Sequence, residues 1–374
     1  MASGGGGARN DGYNAPYPRA TTAPMPNPNR AYLLGPLLKG VSRSFYLTLR
    51  ILPAGMRDPV GLAYLLARAA DTIADTTLIS PTERLDLLLS LRRCVNGSDD
   101  PARLADRLAQ EVAGHQTQAK ERALLESIRP AFDVLAQLDG ADRDAVRGIV
   151  ATLTEGMEFD LRTFPDERSG ELGALPDLSD LDRYTYLVAG CVGEFWTAMT
   201  YRHQPGVLRE DAAIMQRRGI RFGKALQMVN VLRDCANDLR IGRCYLPTDV
   251  LGRHGAQPRD LLLPANSQRM RPVLFELLRL ALDHFREAMA YTLAIPRTAV
   301  RLRLACLWPI LIGLETLWLL VQNDAWLDPA QVSKIDRKAV YRILGRSTLR
   351  VMSDRTLRRW MESEIERIER ALSA

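Results

Sequence analysis

Two stretches of this 374-residue chain, LARAADTIAD (Leu66 to Asp75) and VNVLRDCANDLRIGRCYLP (Val229 to Pro247), each set two aspartates four positions apart in a run that otherwise suits a buried helix. Residues four apart share a helix face, so Asp71 repels Asp75, and Asp234 repels Asp238, by roughly 0.2–0.5 kcal/mol per pair, and aspartate is a mediocre helix former. A single pair is compatible with an ordinary surface, because Arg68 lies one turn before Asp71 and can form an ion pair with it. Two pairs are harder to accept as accident, the second being preceded by Arg233 and followed by Arg240 and Arg243. If the two faces oppose each other across a bundle, four carboxylates can hold Mg²⁺, which takes oxygen ligands and keeps positions open for water and substrate phosphates. Flanking arginines then complement the remaining phosphate charge.

The rest of the pattern supplies such a bundle. From Ala31 onward apolar residues recur at three- and four-residue spacing, and alternating β-branched runs are missing. An all-α, single-domain body over 31–374 is expected, with helices near 58–78, 81–96, 119–138, 141–164, 178–202, 209–240, 267–294, 297–323 and 353–372. Breaks fall at FPDERSGELGALPD (164–177) and LPANS (263–267). Residues 1–30, rich in Gly, Pro, Ala and Asn and without an apolar stretch that suits a signal peptide, read as a disordered leader. Leu302 to Val321 is long enough to cross a bilayer, yet it contains Arg303, Pro309 and Glu315, and charges there are costly in lipid; it reads as a buried core helix.

Composition narrows the setting. A hydrophobic content of 47% with 25% charged residues is ordinary for a soluble globular chain. The net charge of +6 suits an anionic partner, such as a phosphorylated substrate or an anionic membrane surface, and is equally the signature of scattered solubilising arginine. No recognised nucleic-acid motif is present, so no nucleic-acid partner is expected. Five widely spaced cysteines without a CxxC, and only four histidines, argue for a reducing compartment and against zinc.

Five blocks in order, SRSF (Ser42 to Phe45), ARAADTIAD (Ala67 to Asp75), YTYLVAGCVG (Tyr184 to Gly193), QMVNVLRDCAND (Gln227 to Asp238) and GRCYLP (Gly242 to Pro247), resemble the squalene and phytoene synthases, the head-to-head prenyl synthases. Asn237 departs from the glutamate that many members carry before the last aspartate. The resemblance implies an isoprenoid synthase helical bundle with a central apolar pocket capped by the two acid motifs, and two molecules of a prenyl diphosphate, farnesyl diphosphate, as substrate. Asp71, Asp75, Asp234 and Asp238 would bind Mg²⁺. Ser42, Arg43, Ser44, Arg68 and Arg233 would hold or lie near the diphosphates, and Gln227 and Asn230 would line the same mouth. Tyr184 would lie near the reacting carbons, where its hydroxyl can relay a proton; a generic buried tyrosine is the alternative. Ala189, Gly190 and Gly193 either let substrate run along a helix backbone or serve close helix packing. Leu66, Val188, Phe195, Met228 and Val231 suit a dry wall, though each singly suits plain core.

Products divide the family. Squalene formation needs a hydride from NADPH after a cyclopropyl intermediate, whereas phytoene or dehydrosqualene formation ends in proton loss. No GxGxxG opens a βαβ unit. VSKIDRKAVYR (Val332 to Arg342) is similar to a family segment in which Lys334 and Arg337 would face the phosphates of NADPH; surface solvation explains them as well. The block NVLRDCANDLRIGRCYLP looks most like bacterial squalene-forming members, so squalene is the expected product, with phytoene or dehydrosqualene as the alternative. A non-catalytic prenyl-lipid-binding scaffold is the remaining reading. An apolar product, a positive chain and no convincing span lead to the expectation of a cytoplasmic protein that touches the inner membrane peripherally.

Overall fold

The computed structural model describes residues 28–42 and 45–373. Short helical segments, Pro28–Tyr32, Leu33–Leu37, Leu38–Val41 and Phe45–Ile51, precede the main bundle. The longer helices are α1 (Ala54–Asp75), α2 (Pro81–Asn96), α3 (Pro101–Glu111), α4 (Ala119–Glu126), α5 (Ile128–Gln137) and α6 (Gly140–Thr163), then α7 (Leu178–Thr185), α8 (Cys191–His203), α9 (Ala212–Arg240), α10 (Arg271–Ala294), α11 (Val300–Val321), α12 (Arg337–Arg350) and α13 (Asp354–Ser373). The fold is all-α, as expected. Of the expected leader, residues 1–27 lie outside the described residues, while Pro28 to Arg30 belong to a helix and Arg30 pairs with Asp58.

Local chemistry explains the boundaries. Ser80 and Glu83 form a reciprocal capping box at the start of α2, and Gly97 closes that helix in the left-handed conformation, φ 80°. The expected helix over 119–138 breaks at Ser127 because Pro130 has no N–H to donate to the Glu126 carbonyl. Two of these longer helices were not anticipated, α3 and α12. The first carries a legible start signal, Asp100 capping the Ala102 N–H at 2.9 Å with Pro101 in the first turn.

A π-helical turn, Tyr186–Gly190, joins α7 to α8 within the YTYLVAGCVG block. Here α8 and this turn cross α9 with backbone against backbone: a Cβ on Gly193 would overlap the Gly219 carbonyl, and one on Gly223 would overlap the Ala189 carbonyl. Close helix packing therefore accounts for Gly193. The long helix α9 packs against α8, α10 and α11, while α1 packs against α6, and these walls enclose the central cavities.

Helix α11, the candidate span, is largely buried by its neighbours, and its charges are paired: Arg303 with Asp354 of α13, and Glu315 with Arg367 of α13 at 3.4 Å. Between α6 and the end of α9 runs a two-residue parallel pairing, β1 (Gly173–Ala174) with β2 (Arg243–Cys244), in which the Gly173 N–H donates to the Gly242 carbonyl at 2.9 Å. It holds the GRCYLP segment against the 164–177 loop and fixes which way Arg243 and Tyr245 point.

Candidate active site

The last turns of α1 present Arg68, Asp71 and Asp75. Arg68 forms the ion pair with Asp71 that spacing allows, and its other nitrogen reaches Glu121 Oε1 at 3.1 Å. Asp75 looks instead toward Arg243, Nη1 to Oδ1 3.9 Å. On α9 a ladder of side chains leads away from Tyr184. Gln227 donates to the Tyr184 hydroxyl at 3.4 Å, Asn230 donates to Gln227 Oε1 at 3.2 Å, and one turn on Arg233 donates to Asp234 Oδ1 at 2.8 Å, with Asp238 beyond.

Between the two acid motifs lies a cluster that includes an acid absent from the expected site. Asp160, on α6, accepts a hydrogen bond from the Tyr245 hydroxyl at 2.7 Å and stands 3.7 Å from Arg243 Nη1. Tyr245 stacks on Tyr184, ring centroids 4.7 Å apart, and meets Phe164 edge-on at 4.9 Å. Arg243 thus bridges the Asp75 side to Asp160. A weak sequence signal existed for Asp160: it sits seven and three residues after Leu153 and Met157, on an otherwise apolar face. Arg243, expected as a flanking arginine to complement phosphate charge, here stands between the carboxylates of Asp75 and Asp160, while Tyr245 of GRCYLP carried no expected role.

Burial, then repulsion from Asp75, pushes Asp71 up to about 6. Burial pushes Asp160 up to about 7, against the pull of Tyr245 and Arg243, and burial followed by repulsion from Asp234 brings Asp238 to about 7. Their folded values exceed the unfolded aspartate value of about 3.9, so across the interval from about pH 4 to 7 the native state holds protons that the unfolded state has released, and stability falls as pH rises. His284, pushed down to about 4 by burial, opposes this over part of the interval, one group against four, since burial raises Asp75 as well. Carboxylates held low, such as Glu158, act only below it. The metal-free protein is therefore expected to melt at a higher temperature near pH 5 than near pH 7; calorimetry showing the reverse slope would contradict these environments.

Three cavities meet at Asp71. One of about 210 Å³ is lined by Asp71, Asp75, Asp160, Tyr184, Gln227 and Arg243. A polar one of about 310 Å³ has Arg68, Asp71, Asp75, Gln116 and Glu121 in its wall. The third, about 470 Å³, has Arg68, Asp71 and Asn230 at its rim and an apolar body that includes Val188, Val192, Phe195 and Trp196. Through Val188, Val192 and Trp196 it adjoins a further apolar space of about 180 Å³, bounded by Phe222, Ala305, Cys306 and Pro309.

Arg68, Asp71, Asp75, Tyr184, Gln227 and Asn230 are thus brought together. Arg233, Asp234 and Asp238 continue along α9 and line none of these spaces. Ser42 is buried and its hydroxyl donates to the Leu38 carbonyl at 2.5 Å; Arg43 and Ser44 lie outside the described residues. Lys334 and Arg337 are exposed and line none of the cavities. Val188 and Phe195 face the apolar cavity, whereas Leu66, Met228 and Val231 are buried in packing.

Among the described residues no three His, Cys, Asp or Glu side chains converge on one preformed metal position. The mouth nonetheless offers oxygen donors, its anionic ones all carboxylates, with no His or Cys among its lining residues, and Asp160 Oδ1 is buried with no hydrogen-bond partner. Such a set fits Mg²⁺, which is held by a few carboxylates together with substrate phosphates and waters.

The family model for squalene/phytoene synthase matches residues 38–338. The chain belongs to that family. Squalene/phytoene synthases are prenyltransferases acting on prenyl diphosphates. A bifunctional lycopene cyclase/phytoene synthase of Colletotrichum graminicola is 32% identical over 69% of this chain and 41% of its own length. The squalene synthase of Schizosaccharomyces pombe is 25% identical over 68% and 52%, and that of Saccharomyces cerevisiae 27% over 77% and 61%. The matched regions thus span between about two fifths and three fifths of these relatives. In fold the chain is similar to TcSQS with the ligand BPH1237, at TM-score 0.71, 21% identity and coverage of 92% of this chain and 97% of that one. It is also similar to a dehydrosqualene synthase in complex with ligand, at TM-score 0.56, 20% identity and coverage of 90% and 97%.

Proposed function

We propose that this chain joins two farnesyl diphosphates head to head through presqualene diphosphate and, supplied with NADPH, reduces that intermediate to squalene. The observation that carries the condensation is the junction at Asp71, where a polar mouth of carboxylates and arginines opens into an apolar cavity of about 470 Å³. Diphosphate belongs at the mouth and isoprenoid chain in the cavity.

Arg68 holds diphosphate oxygens, with Gln227 and Asn230 bonding at the same rim and Arg233 one turn beyond Asn230, outside the described cavities. Asp71 and Asp75, with Asp234 and Asp238 on α9, would hold Mg²⁺, which when bound would supply Lewis acidity toward the leaving diphosphate. Val188, Val192, Phe195 and Trp196 keep water from an allylic cation. Burial holds the Tyr184 phenol well above its ordinary value, so it stays neutral. Its oxygen can accept the proton lost in carbon–carbon bond formation only by passing its own onward, and the departed diphosphate is the base at that mouth. Asp160 and Tyr245 hold the Tyr184 ring in place by the stacking and hydrogen bond described above.

Reduction rests on the sequence resemblance and on the squalene synthases among the relatives, since Lys334 and Arg337 line no described cavity. A second reading, formation of phytoene or dehydrosqualene without reductant, is favoured by the 32% identity to a bifunctional lycopene cyclase/phytoene synthase. We place the protein in the cytoplasm, in peripheral contact with the inner membrane, from which salt should release it. Incubation with Mg²⁺ and labelled farnesyl diphosphate decides between the readings. Presqualene diphosphate or dehydrosqualene without NADPH, and squalene once it is added, is the expected result. A product spectrum indifferent to NADPH assigns the second reading, and binding without turnover assigns a scaffold.

A further inference from the structure

Helix α12 carries Arg337, Lys338, Arg342, Arg346 and Arg350 and no acid within its length. Its inner side, through Ala339, Ile343 and Ser347, packs on α11, where Trp308 Nε1 donates to Ser347 Oγ at 2.9 Å. Arg346 and Arg350 turn sideways onto the Trp360 ring, 5.2 and 5.3 Å from its centroid. What remains outward is Lys338, Tyr341 and Thr348, with Leu349 and, just past the helix end, Met352, while exposed Arg342 at the edge of this face also borders a polar cavity of about 300 Å³ shared with Glu315 and Glu364. Tyr341 is 69% exposed, Leu349 88% and Met352 61%, the three most exposed large apolar side chains among the described residues. Lys338 and Arg342 take part in no ion pair; the acids that share a cavity with Arg342, Glu315 and Glu364, pair with Arg367 instead.

Scattered exposed apolar residues mean little singly. Aliphatic and aromatic tips set among unpaired cations on one helix face are different, because the two kinds of side chain are satisfied together only where an apolar layer lies under a layer of negative charge. The position is also suggestive: the opposite side of α11 contributes Ala305, Cys306 and Pro309 to the apolar space of about 180 Å³, so the hydrocarbon-lined end of the interior lies one helix behind this face.

We propose that the outward face of α12 seats the protein on an anionic lipid bilayer, with Tyr341, Leu349 and Met352 entering the headgroup region and Lys338 and Arg342 meeting lipid phosphate. This gives the peripheral contact proposed above a defined surface, and it does not depend on which product the enzyme makes. The test uses the full chain with vesicles of phosphatidylcholine alone and of phosphatidylcholine mixed with phosphatidylglycerol, followed by pelleting at low and high salt. Binding to the anionic vesicles only, weakened by salt, is expected. K338E/R342E should lower that affinity about tenfold or more, and L349E several-fold. Melting temperature and turnover of farnesyl diphosphate in vesicle-free solution should stay as in the parent, since these side chains are exposed and remote from the mouth. Vesicle binding is read without turnover, so an inactive protein still decides the matter. Absence of binding to anionic vesicles, equal binding to neutral ones, or parent-like pelleting of both variants overturns the proposal. So does self-association in sedimentation velocity that L349E abolishes while vesicle binding is unchanged, which would assign the face to a second copy.

Discussion

Asp71→Asn is expected to lower turnover of farnesyl diphosphate about 10²–10³-fold at saturating Mg²⁺, with the helical fold intact. Asp71 is the residue common to all three cavities at the mouth, so its carboxylate stands where diphosphate and apolar chain meet. Asparagine keeps the shape and one acceptor oxygen but removes the charge that recruits a cation. The apo helix gives up the ion pair with Arg68, but the exchange also ends the repulsion with Asp75 and the desolvation that pushes Asp71 up to about 6, so the fold is retained. Asp234→Asn tests the other motif in the same way. Steady-state rates and circular-dichroism melting measure both halves of the claim, and near-parental rates in either variant would remove that aspartate from the chemistry.

Asp354→Ala is expected to cost about 3 kcal/mol of stability, toward the low end for breaking a buried pair because Asp354 itself is partly exposed. Its partner Arg303 is 0% exposed within α11, and two of the three guanidinium nitrogens, Nε and Nη1, have no other hydrogen-bond partner. Deleting the carboxylate would strand a positive charge in the core. Adding Arg303→Leu to the same variant should recover much of the loss, since the stranded charge goes with it. Urea unfolding midpoints of the two variants measure this; a single variant as stable as the parent would show that the pair is immaterial. Although burial alone would raise it, hydrogen bonds from Arg303 and Arg297 hold the Asp354 carboxyl below its usual range. Its contribution is therefore present above the unfolded value near 3.9 and fades as pH falls through the folded one.

The helical body and both aspartate pairs were legible because each rests on spacing within one helix. What escaped depends on approach between distant segments. Asp160 is a lone acid on an apolar face, and only the fold reveals that Tyr245 and Arg243 meet it there. Leu66, Met228 and Val231 are as apolar as Val188 and Phe195, and periodicity cannot tell which buried flank borders a void. Helix α12 went unseen because its buried side is narrow, with Ala339 and Ser347 in place of large apolar residues, so its pattern reads as a charged loop.

The glycine crossing of α8 over α9 bears on how such an interior can diversify. Where backbones touch, the wall offers no side chain to trim and no slack to enlarge, so a side chain at Gly193, Gly219 or Gly223 would force the two helices apart. Changes in the depth of the apolar interior must instead come from side chains that project into it, such as Val192, Trp196 and Phe222 from these two helices and Cys306 and Pro309 from α11. Adaptation to longer or shorter isoprenoids is thereby channelled into a few side chains on an immovable frame.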